Sequence, residues 1–203
     1  MSFVDAPAAM RIGRYQIDIV RTLPLQRGVY SQVEHSIDYG GELWVAEYRL
    51  TGLSLADGAA VQGWLDQISD PGVNGRLGTP LGASVAAFGT ETATSLQIVG
   101  ATLAGARAIP VDGATPAATL LAGTWLSIGN HLHRVRTDFT SDGTGAGSLS
   151  ITPRLREAFA DNQPVELSAP KSLWKVASSS PWVRDEVDRW EPVTLKLSEA
   201  IRP

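Results

Sequence analysis

The chain has 203 residues, with 17 basic and 21 acidic side chains and a net charge of −4, which argues against a surface that holds nucleic acid through counterion release. It contains no cysteine, so disulfides, thiolate metal sites and cysteine nucleophiles are excluded. With 43% hydrophobic and 19% charged residues, the composition is that of an ordinary globular protein.

Neither a targeting segment nor a membrane span is predicted. The first twenty residues lack a basic start followed by an apolar run of signal-peptide length. No window approaches the roughly 20 apolar residues that a bilayer span needs. We therefore expect a protein that is made in a cytoplasm and needs no membrane.

The first clear element is a strand, "LWVAEYRL", at residues 43–50. Its side chains alternate between two faces, which is typical of a strand with one buried face. One face carries Trp44, Ala46, Tyr48 and Leu50, and the other carries Leu43, Val45, Glu47 and Arg49.

A helix is predicted next, over "SLADGAAVQGWLDQISDPG". Ser54 and Asp57 have the spacing of a capping box, and the helix should end at Asp70 because Pro71 disfavours helical geometry in the residue before it. The apolar stripe comprises Val61, Trp64, Leu65 and Ile68.

Residues 71–90 are rich in glycine and proline and show no clear period. This pattern predicts a long irregular connection or short edge strands. We place the first domain boundary near residue 92.

After residue 92 the sequence pattern changes to six short β-like runs, each ended by glycine, proline or aspartate. The runs are "SLQIVG", "RAIPVDG", "TWLSIG", "HLHRVRTDF", "GSLSIT" and "QPVELSAP". Six such runs in a short stretch favour a small closed or nearly closed barrel over a sandwich. In "TPRLREAF" we expect either a short helix, capped by Thr152 with Pro153 in its first position, or a simple turn.

The segment after Pro170 carries three tryptophans and ends in an alternation of Val193, Leu195 and Leu197 with polar residues. Thirty-three residues with so few apolar side chains cannot fold alone. We infer that they return to pair with the N-terminal part. The expected organisation is a main β domain at residues 1–92 and 171–203, interrupted by a barrel at residues 93–170.

The stretch "GNHLHRV" raises the question of a metal site at His131 and His133. A two-residue Gly129-Asn130 turn predicts a hairpin in which both histidines share a face with aliphatic side chains. On the other face, Trp125 lies opposite Arg134 and forms a stacked cation–aromatic pair.

A zinc site takes three or four protein ligands. The remaining histidine, His35, falls in the other predicted domain, and Asp138 and Asp142 belong to the following loop. We predict no metal site, and we expect His131 and His133 to cover part of a half-exposed barrel wall.

Three further patterns lack the features that catalysis requires. The glycine-rich run at residues 141–148 is followed by no Gly-Lys-Ser/Thr, so a hairpin loop is favoured over a phosphate cradle. The carboxylates of residues 184–191 alternate with Arg184 and Arg189, which favours a solvated loop over an acid/base pair or cation site. No G-x-S-x-G elbow occurs. We therefore predict a non-enzymatic protein with no cofactor.

The six tryptophans are the remaining signal. Trp64 belongs to the helix stripe and is expected in the core. Trp174, Trp182 and Trp190 lie in a segment too polar to bury all three internally, so an interface with another chain and packing within the main domain both stay open.

The order of these parts resembles that of the distal tail proteins of long-tailed bacteriophages and gene transfer agents. The resemblance covers most of residues 43–200 and depends on a succession of motifs. These are "W-x-A-x-Y-x-L" from Trp44, "GWLDQI", "NGRLGTPLG", "GTWLSIGNHLHRV", "SDGTGAGSLSITPRLREAF", "QPVELSAP" and the closing "SEA".

This resemblance implies a mainly β fold, with a β-sandwich-like belt domain that has one α-helix and an inserted OB-like or galectin-like barrel. It implies a structural protein of the virion, six copies of which close into a ring that connects the tail tube to the hub and baseplate. Its partners would be further copies of itself, the tail tube protein and the hub or baseplate protein. DNA would pass through the lumen without specific binding, which suits an acidic protein.

Two alternatives stay open. The barrel could present Trp125, Arg134 and the 141–148 loop to a host glycan, as a carbohydrate-binding accessory module of the tail tip. A metal-dependent hydrolase around His131 and His133 is the third hypothesis.

Overall fold

The computed structural model describes residues 2–21, 25–27, 34–36, 42–78, 93, 95–185 and 189–200. In chain order, the elements are β1 (Ser2–Asp5), β2 (Ile12–Arg21), β3 (Leu25–Arg27), β4 (Glu34–Ser36), β5 (Glu42–Leu50), α1 (Leu55–Ser69), β6 (Val73–Gly78), β7 (Leu96–Ile98), β8 (Ala108–Asp112), β9 (Thr119–Leu120), β10 (Trp125–Ile128), β11 (His131–Val135), β12 (Phe139–Thr140), β13 (Gly147–Thr152), β14 (Pro164–Glu166), β15 (Lys171–Ser179) and β16 (Val193–Glu199). Within these residues, no helix combines the length and the apolar character that crossing a lipid bilayer needs.

The main sheet has six strands in the order β1-β6-β15-β16-β5-β2. β1 runs parallel to β6, and the remaining four neighbouring pairs are all antiparallel. β15 and β16 come from the C-terminal part of the chain and lie between β6 and β5. The sheet is therefore continuous only after the chain has returned from the barrel.

One face of the sheet is buried. The alternation predicted for β5 is confirmed, since Trp44, Ala46, Tyr48 and Leu50 are all at most 1% exposed. The alternation in β16 is confirmed as well, with Val193, Leu195 and Leu197 in the same apolar cluster. The opposite face carries Glu47 and Arg49 of β5 and Thr194, Lys196 and Ser198 of β16.

The predicted helix is confirmed at both ends. The Ser54 hydroxyl accepts from the Asp57 amide at 3.2 Å, and the Asp57 carboxylate accepts from the Ser54 amide at 3.4 Å. Asp70 ends the helix with an extended backbone. All four residues of the predicted apolar stripe are buried, and the Trp64 ring occupies the space that a Cβ on Gly75 would need.

The predicted barrel is confirmed as a closed one, in the order β10-β11-β13-β8-β7-β14. Its six strands fall within the six short runs identified in the sequence. The barrel has its own apolar cluster, which includes Ile98, Ile109, Leu126, Ile128, Leu149 and Ile151. The fold class is thus mainly β, with a β-sandwich-like main part that carries one helix and a small closed barrel.

The glycine-rich stretch after the helix differs from expectation. Residues 73–78 form β6, which is an interior strand because β1 pairs with it on one side and β15 on the other. The rest of the stretch and the boundary expected near residue 92 lie outside the described residues. The domain limits themselves, 1–92 with 171–203 and 93–170, stay a prediction.

The short helix expected in "TPRLREAF" is wrong; the segment has bends at residues 153 and 156–157 and no hydrogen-bonded turn of its own. The backbone of this segment pairs with residues 102–106 instead of with itself. The Leu155 amide donates to the Ala106 carbonyl at 2.9 Å, and the Phe159 amide donates to the Thr102 carbonyl at 2.9 Å. These contacts, with the burial of Leu155 and Phe159 in the barrel core, override the local helix signals.

The two glycines within α1 offer a matched test of this packing. A Cβ on Gly58 would lie 2.0 Å from the Trp190 indole nitrogen, whereas one on Gly63 would meet nothing within 4 Å. We expect Gly63→Ala to stabilise the protein by up to about 1 kcal/mol through helix propensity. Gly58→Ala should destabilise it by about 1–3 kcal/mol, because Trp190 must move. Urea unfolding followed by circular dichroism measures both; equal stabilisation by the two substitutions would contradict this packing.

Candidate functional site

The barrel meets the sheet through the β10–β11 hairpin and forms a buried contact that we call the junction. Its sheet side consists of Glu42, Trp44, Glu199 and residues 171–173, and its barrel side of Arg107, residues 125–134 and residues 153–157. The Trp44 indole donates to the Leu132 carbonyl at 2.8 Å. The Leu173 amide donates to the Asn130 carbonyl at 3.1 Å.

The hairpin has the register predicted from its turn. Ile128 pairs with His131, Leu126 with His133, and Trp125 with Arg134. Gly129 has a φ of +62°, which suits the first central position of a two-residue hairpin turn and favours glycine there.

The expectation that the histidines cover a half-exposed wall is wrong. His133 is completely buried and His131 is only 7% exposed, because residues 153–157 and the end of β16 pack over them. His133 Nδ1 lies 3.0 Å from the Pro153 carbonyl oxygen. Since a carbonyl can only accept, Nδ1 carries the proton. Burial lowers the pKa of His133 from 6.5 to about 4, so the ring is neutral at pH 7.

Glu199 places a fully buried carboxylate in the junction. Its carboxylate accepts from the Arg156 guanidinium at 2.7 Å and from the Trp44 amide at 3.3 Å. His131 Nδ1 lies 3.6 Å from the other carboxylate oxygen. Burial by itself would raise the pKa of Glu199, but His131 and Arg156 outweigh it, and the pKa is lowered.

A second carboxylate crosses the junction in the same way. Glu42, at the start of β5, is almost fully buried, and its Oε1 accepts from the Arg107 guanidinium at 2.9 Å. Its Oε2 accepts from the Arg154 amide at 3.2 Å. Both acids belong to the sheet, and the arginines that donate to them, Arg107 and Arg156, belong to the barrel part, so the two contacts fix how the barrel is oriented on the sheet.

Trp125 and Arg134, the residues named for contact with a glycan or partner, lie on the barrel face that packs on the sheet. The Arg134 guanidinium carbon lies 5.7 Å from the Trp125 ring centroid, which confirms the cation–aromatic contact. Trp44 packs on Trp125 as well, with ring centroids 4.9 Å apart and the ring planes tilted by 52°. Both Trp125 and Arg134 are half-buried. Their contact with a glycan or partner stays a prediction.

Within the described part of the chain, the residues considered for a metal site are not brought together. Among the described residues, no group of three or more His, Asp or Glu side chains could hold a metal ion. Asp138 accepts from the Ala122 amide at 2.7 Å. Asp142 closes the 141–148 loop by accepting from the Thr144 hydroxyl and amide and from the Ala146 amide. The side chain of His35 lies outside the described residues.

The C-terminal tryptophans divide into two groups. Trp174 is buried, and its indole donates to the Leu77 carbonyl at 3.3 Å. Trp182 and Trp190 are half-buried and form an edge-to-face pair with centroids 5.4 Å apart. In the 184–191 loop, Asp185 accepts from the Arg189 amide at 2.7 Å, while residues 186–188 lie outside the described residues.

The buried carboxylates of the junction were not among the predicted site residues, although their position carries a signal. Glu42 continues the buried side of β5, two residues before Trp44, and Glu199 continues the buried side of β16, two residues after Leu197. Because strand side chains alternate with period two, the apolar pattern alone places both acids on the buried face. A charge at such a position requires a partner.

A scan of the sequence against protein-family models finds no matching family, and a search of curated proteins finds no match.

The buried His133 predicts that the free energy of unfolding falls in acid. Its pKa is lowered in the folded protein, so protonation opposes folding, and its contribution to stability is complete above pH 6.5 and lost as the pH falls to about 4. The loss should be roughly 3 kcal/mol, and Glu199, whose pKa is also lowered, adds to it in the same direction. In urea unfolding across this pH range, His133→Gln should flatten the dependence because it keeps a donor near Pro153 without titrating. If the free energy of unfolding of His133→Gln depends on pH as that of the wild type does, His133 is not the cause of the acid sensitivity.

The Arg156–Glu199 pair should matter far more than a surface pair. Arg156→Met leaves Glu199 buried without its guanidinium and should destabilise the protein by about 3–5 kcal/mol. Adding Glu199→Met should restore much of this loss. The control is Lys196→Met, which removes an exposed pair with Glu47 at 3.6 Å and should cost at most about 1 kcal/mol. Thermal unfolding compares the variants, and an Arg156→Met effect no larger than that of the control would refute the assignment.

Proposed function

We propose that this protein is a structural, non-enzymatic subunit of the phage tail tip, a distal tail protein that forms a ring between the tail tube and the hub or baseplate. The observation that carries the proposal is the pair of unlike edges of the main sheet. The order of parts along the chain also supports the proposal, because the barrel strands lie between two groups of strands that together form one sheet.

β2 is a long edge strand. It pairs with β5 along its length, and within the described part of the chain no strand pairs with its other side. Its inner row of Tyr15, Ile17 and Ile19 is only half-buried, although it belongs to the apolar cluster of the sheet. A long edge with apolar side chains is a template for pairing with another chain.

The other edge, β1, is short and parallel to its neighbour. Because the two edges differ, a contact between them on successive copies is heterologous. Such a contact repeats from copy to copy and closes into a ring when the rotation is right. Six copies are proposed from the resemblance to distal tail proteins.

The barrel is attached without using either edge. Its described hydrogen bonds and ion pairs to the main sheet go to β5, β15 and β16, which are interior strands. A ring made through β1 and β2 could therefore carry the barrels rigidly. The tail tube protein and the hub or baseplate protein are the proposed neighbours, and the proposed location is the virion tail tip after assembly in the host cytoplasm. DNA would pass through the lumen without specific binding, as the net charge of −4 favours.

Substitutions on β2 test the ring. We expect the wild-type protein to form a hexameric ring, alone or when mixed with the tail tube protein, in native mass spectrometry and electron micrographs. Ile17→Lys should leave a monomer, because a charge on the apolar row of an edge opposes strand pairing. Val20→Lys repeats the test at a side chain that is already 49% exposed, so folding is not at risk.

The control is Thr140→Lys, which adds the same charge at an exposed position of the barrel part and should leave the ring intact. A wild-type protein that stays monomeric with and without the tail tube protein would overturn the proposal.

A further inference from the structure

A cleft of about 330 Å³ opens on the polar face of the main sheet. It lies between the outer side chains of β2, β5 and β16, and its lining includes Arg14, Gln16, Arg49, Ser180 and Thr194. By strand alternation, Arg49 points away from the side of Tyr48 and Leu50, which are buried. The cleft therefore lies on the face opposite the buried side chains of β5, although Tyr15 at its edge also packs against the apolar cluster.

Two arginines face each other in this cleft. Arg14 on β2 is the direct cross-strand partner of Arg49 on β5. Like charges directly opposite each other destabilise an antiparallel pair. Among the described residues, neither guanidinium forms an ion pair; Glu47, which also lines the cleft, is paired with Lys196 at 3.6 Å. Within the described part of the chain, the two arginines therefore have no ion-pair partner of their own.

A β-bulge produces this arrangement. The register between β2 and β5 shifts between Ile12 and Arg14, so that Gly13 is passed over and Arg14 lies opposite Arg49. The Thr51 side chain occupies the space next to Gly13, where a Cβ would lie 2.4 Å from the Thr51 hydroxyl oxygen. Bulges are frequent next to binding sites, where they redirect a side chain.

The rim of the cleft supplies a further donor. The Ser180 hydroxyl oxygen accepts from the Thr194 amide at 2.9 Å. Its own hydrogen remains available, because a hydroxyl both donates and accepts.

We propose that Arg14 and Arg49 form a binding site for a phosphate group that carries close to two negative charges, as inorganic phosphate or a phosphate monoester does. A single guanidinium, with its fork of two parallel N–H donors, is enough to bind a monocarboxylate. A phosphate monoester has a charge of about −1.5 to −2 at pH 7 and three acceptor oxygens, so it matches two forks. A phosphodiester carries a single charge, so the DNA backbone fits the pair less well. Arg14 belongs to β2, the edge strand of the proposed ring, but the site needs only Arg14 and Arg49 of one copy and does not require the ring.

Nuclear magnetic resonance of the arginine Nε–H groups tests the site on the full chain at constant ionic strength. The probes are inorganic phosphate, phosphoserine, dimethyl phosphate as a diester and acetate as a monocarboxylate. Inorganic phosphate should shift the Arg14 and Arg49 signals saturably and bind about ten-fold more tightly than the diester or acetate. If phosphoserine binds equally well, the ligand is a monoester; if it does not, the ligand is the free ion.

Arg14→Gln and Arg49→Gln should each weaken phosphate binding about ten-fold or more, while Arg136→Gln, an exposed arginine of the barrel part, should not. Phosphate should also raise the unfolding temperature of the wild-type protein but not of the two cleft variants. Arg49→Gln should be more stable than wild type in phosphate-free buffer, because it relieves the repulsion. The proposal is overturned by the absence of a saturable shift, by equal binding of acetate, or by cleft variants that bind as the wild type does.

Discussion

Two carboxylates buried between the sheet and the barrel determine how the parts of this protein are held together. Glu199 and Glu42 lie at neighbouring strand ends of the sheet, and each accepts a hydrogen bond from an arginine of the barrel part. A buried carboxylate without a partner is strongly unfavourable. The barrel therefore cannot leave its place on the sheet without exposing the acids to water or leaving them unpaired.

The same interaction connects the fold to the proposed role. Glu199 is the last residue of β16, which lies in the middle of the sheet although it comes from the end of the chain. Its pairing with Arg156 requires both the completed sheet and the folded barrel. The resulting unit keeps its attachment in the interior strands, while β1 and β2 remain at the edges. A subunit with rigid parts and two unlike edges is what a ring of identical copies needs.

Local signals in the sequence were sufficient wherever neighbouring residues decide the structure. Ser54 with Asp57 specifies the start of the helix, and Gly129 with Asn130 specifies the hairpin register. Local patterns were insufficient where contacts between residues far apart in the chain decide the structure. β6 has too many glycines for a period-two pattern, and its place comes from β1 and β15, which flank it. Arg107 and Arg156 lie 65 and 43 residues from the acids they meet. The alternation of side chains along β5 and β16 therefore predicts that Glu42 and Glu199 are buried, but it does not predict their partners.

The most direct test of the junction is the relative orientation of barrel and sheet in solution, measured by residual dipolar couplings at pH 7. If the buried pairs fix the two parts to each other, one alignment tensor must fit the amide couplings of β5, β15 and β16 together with those of the six barrel strands. Two tensors that differ in magnitude or direction would mean that the parts move independently, and would contradict the account.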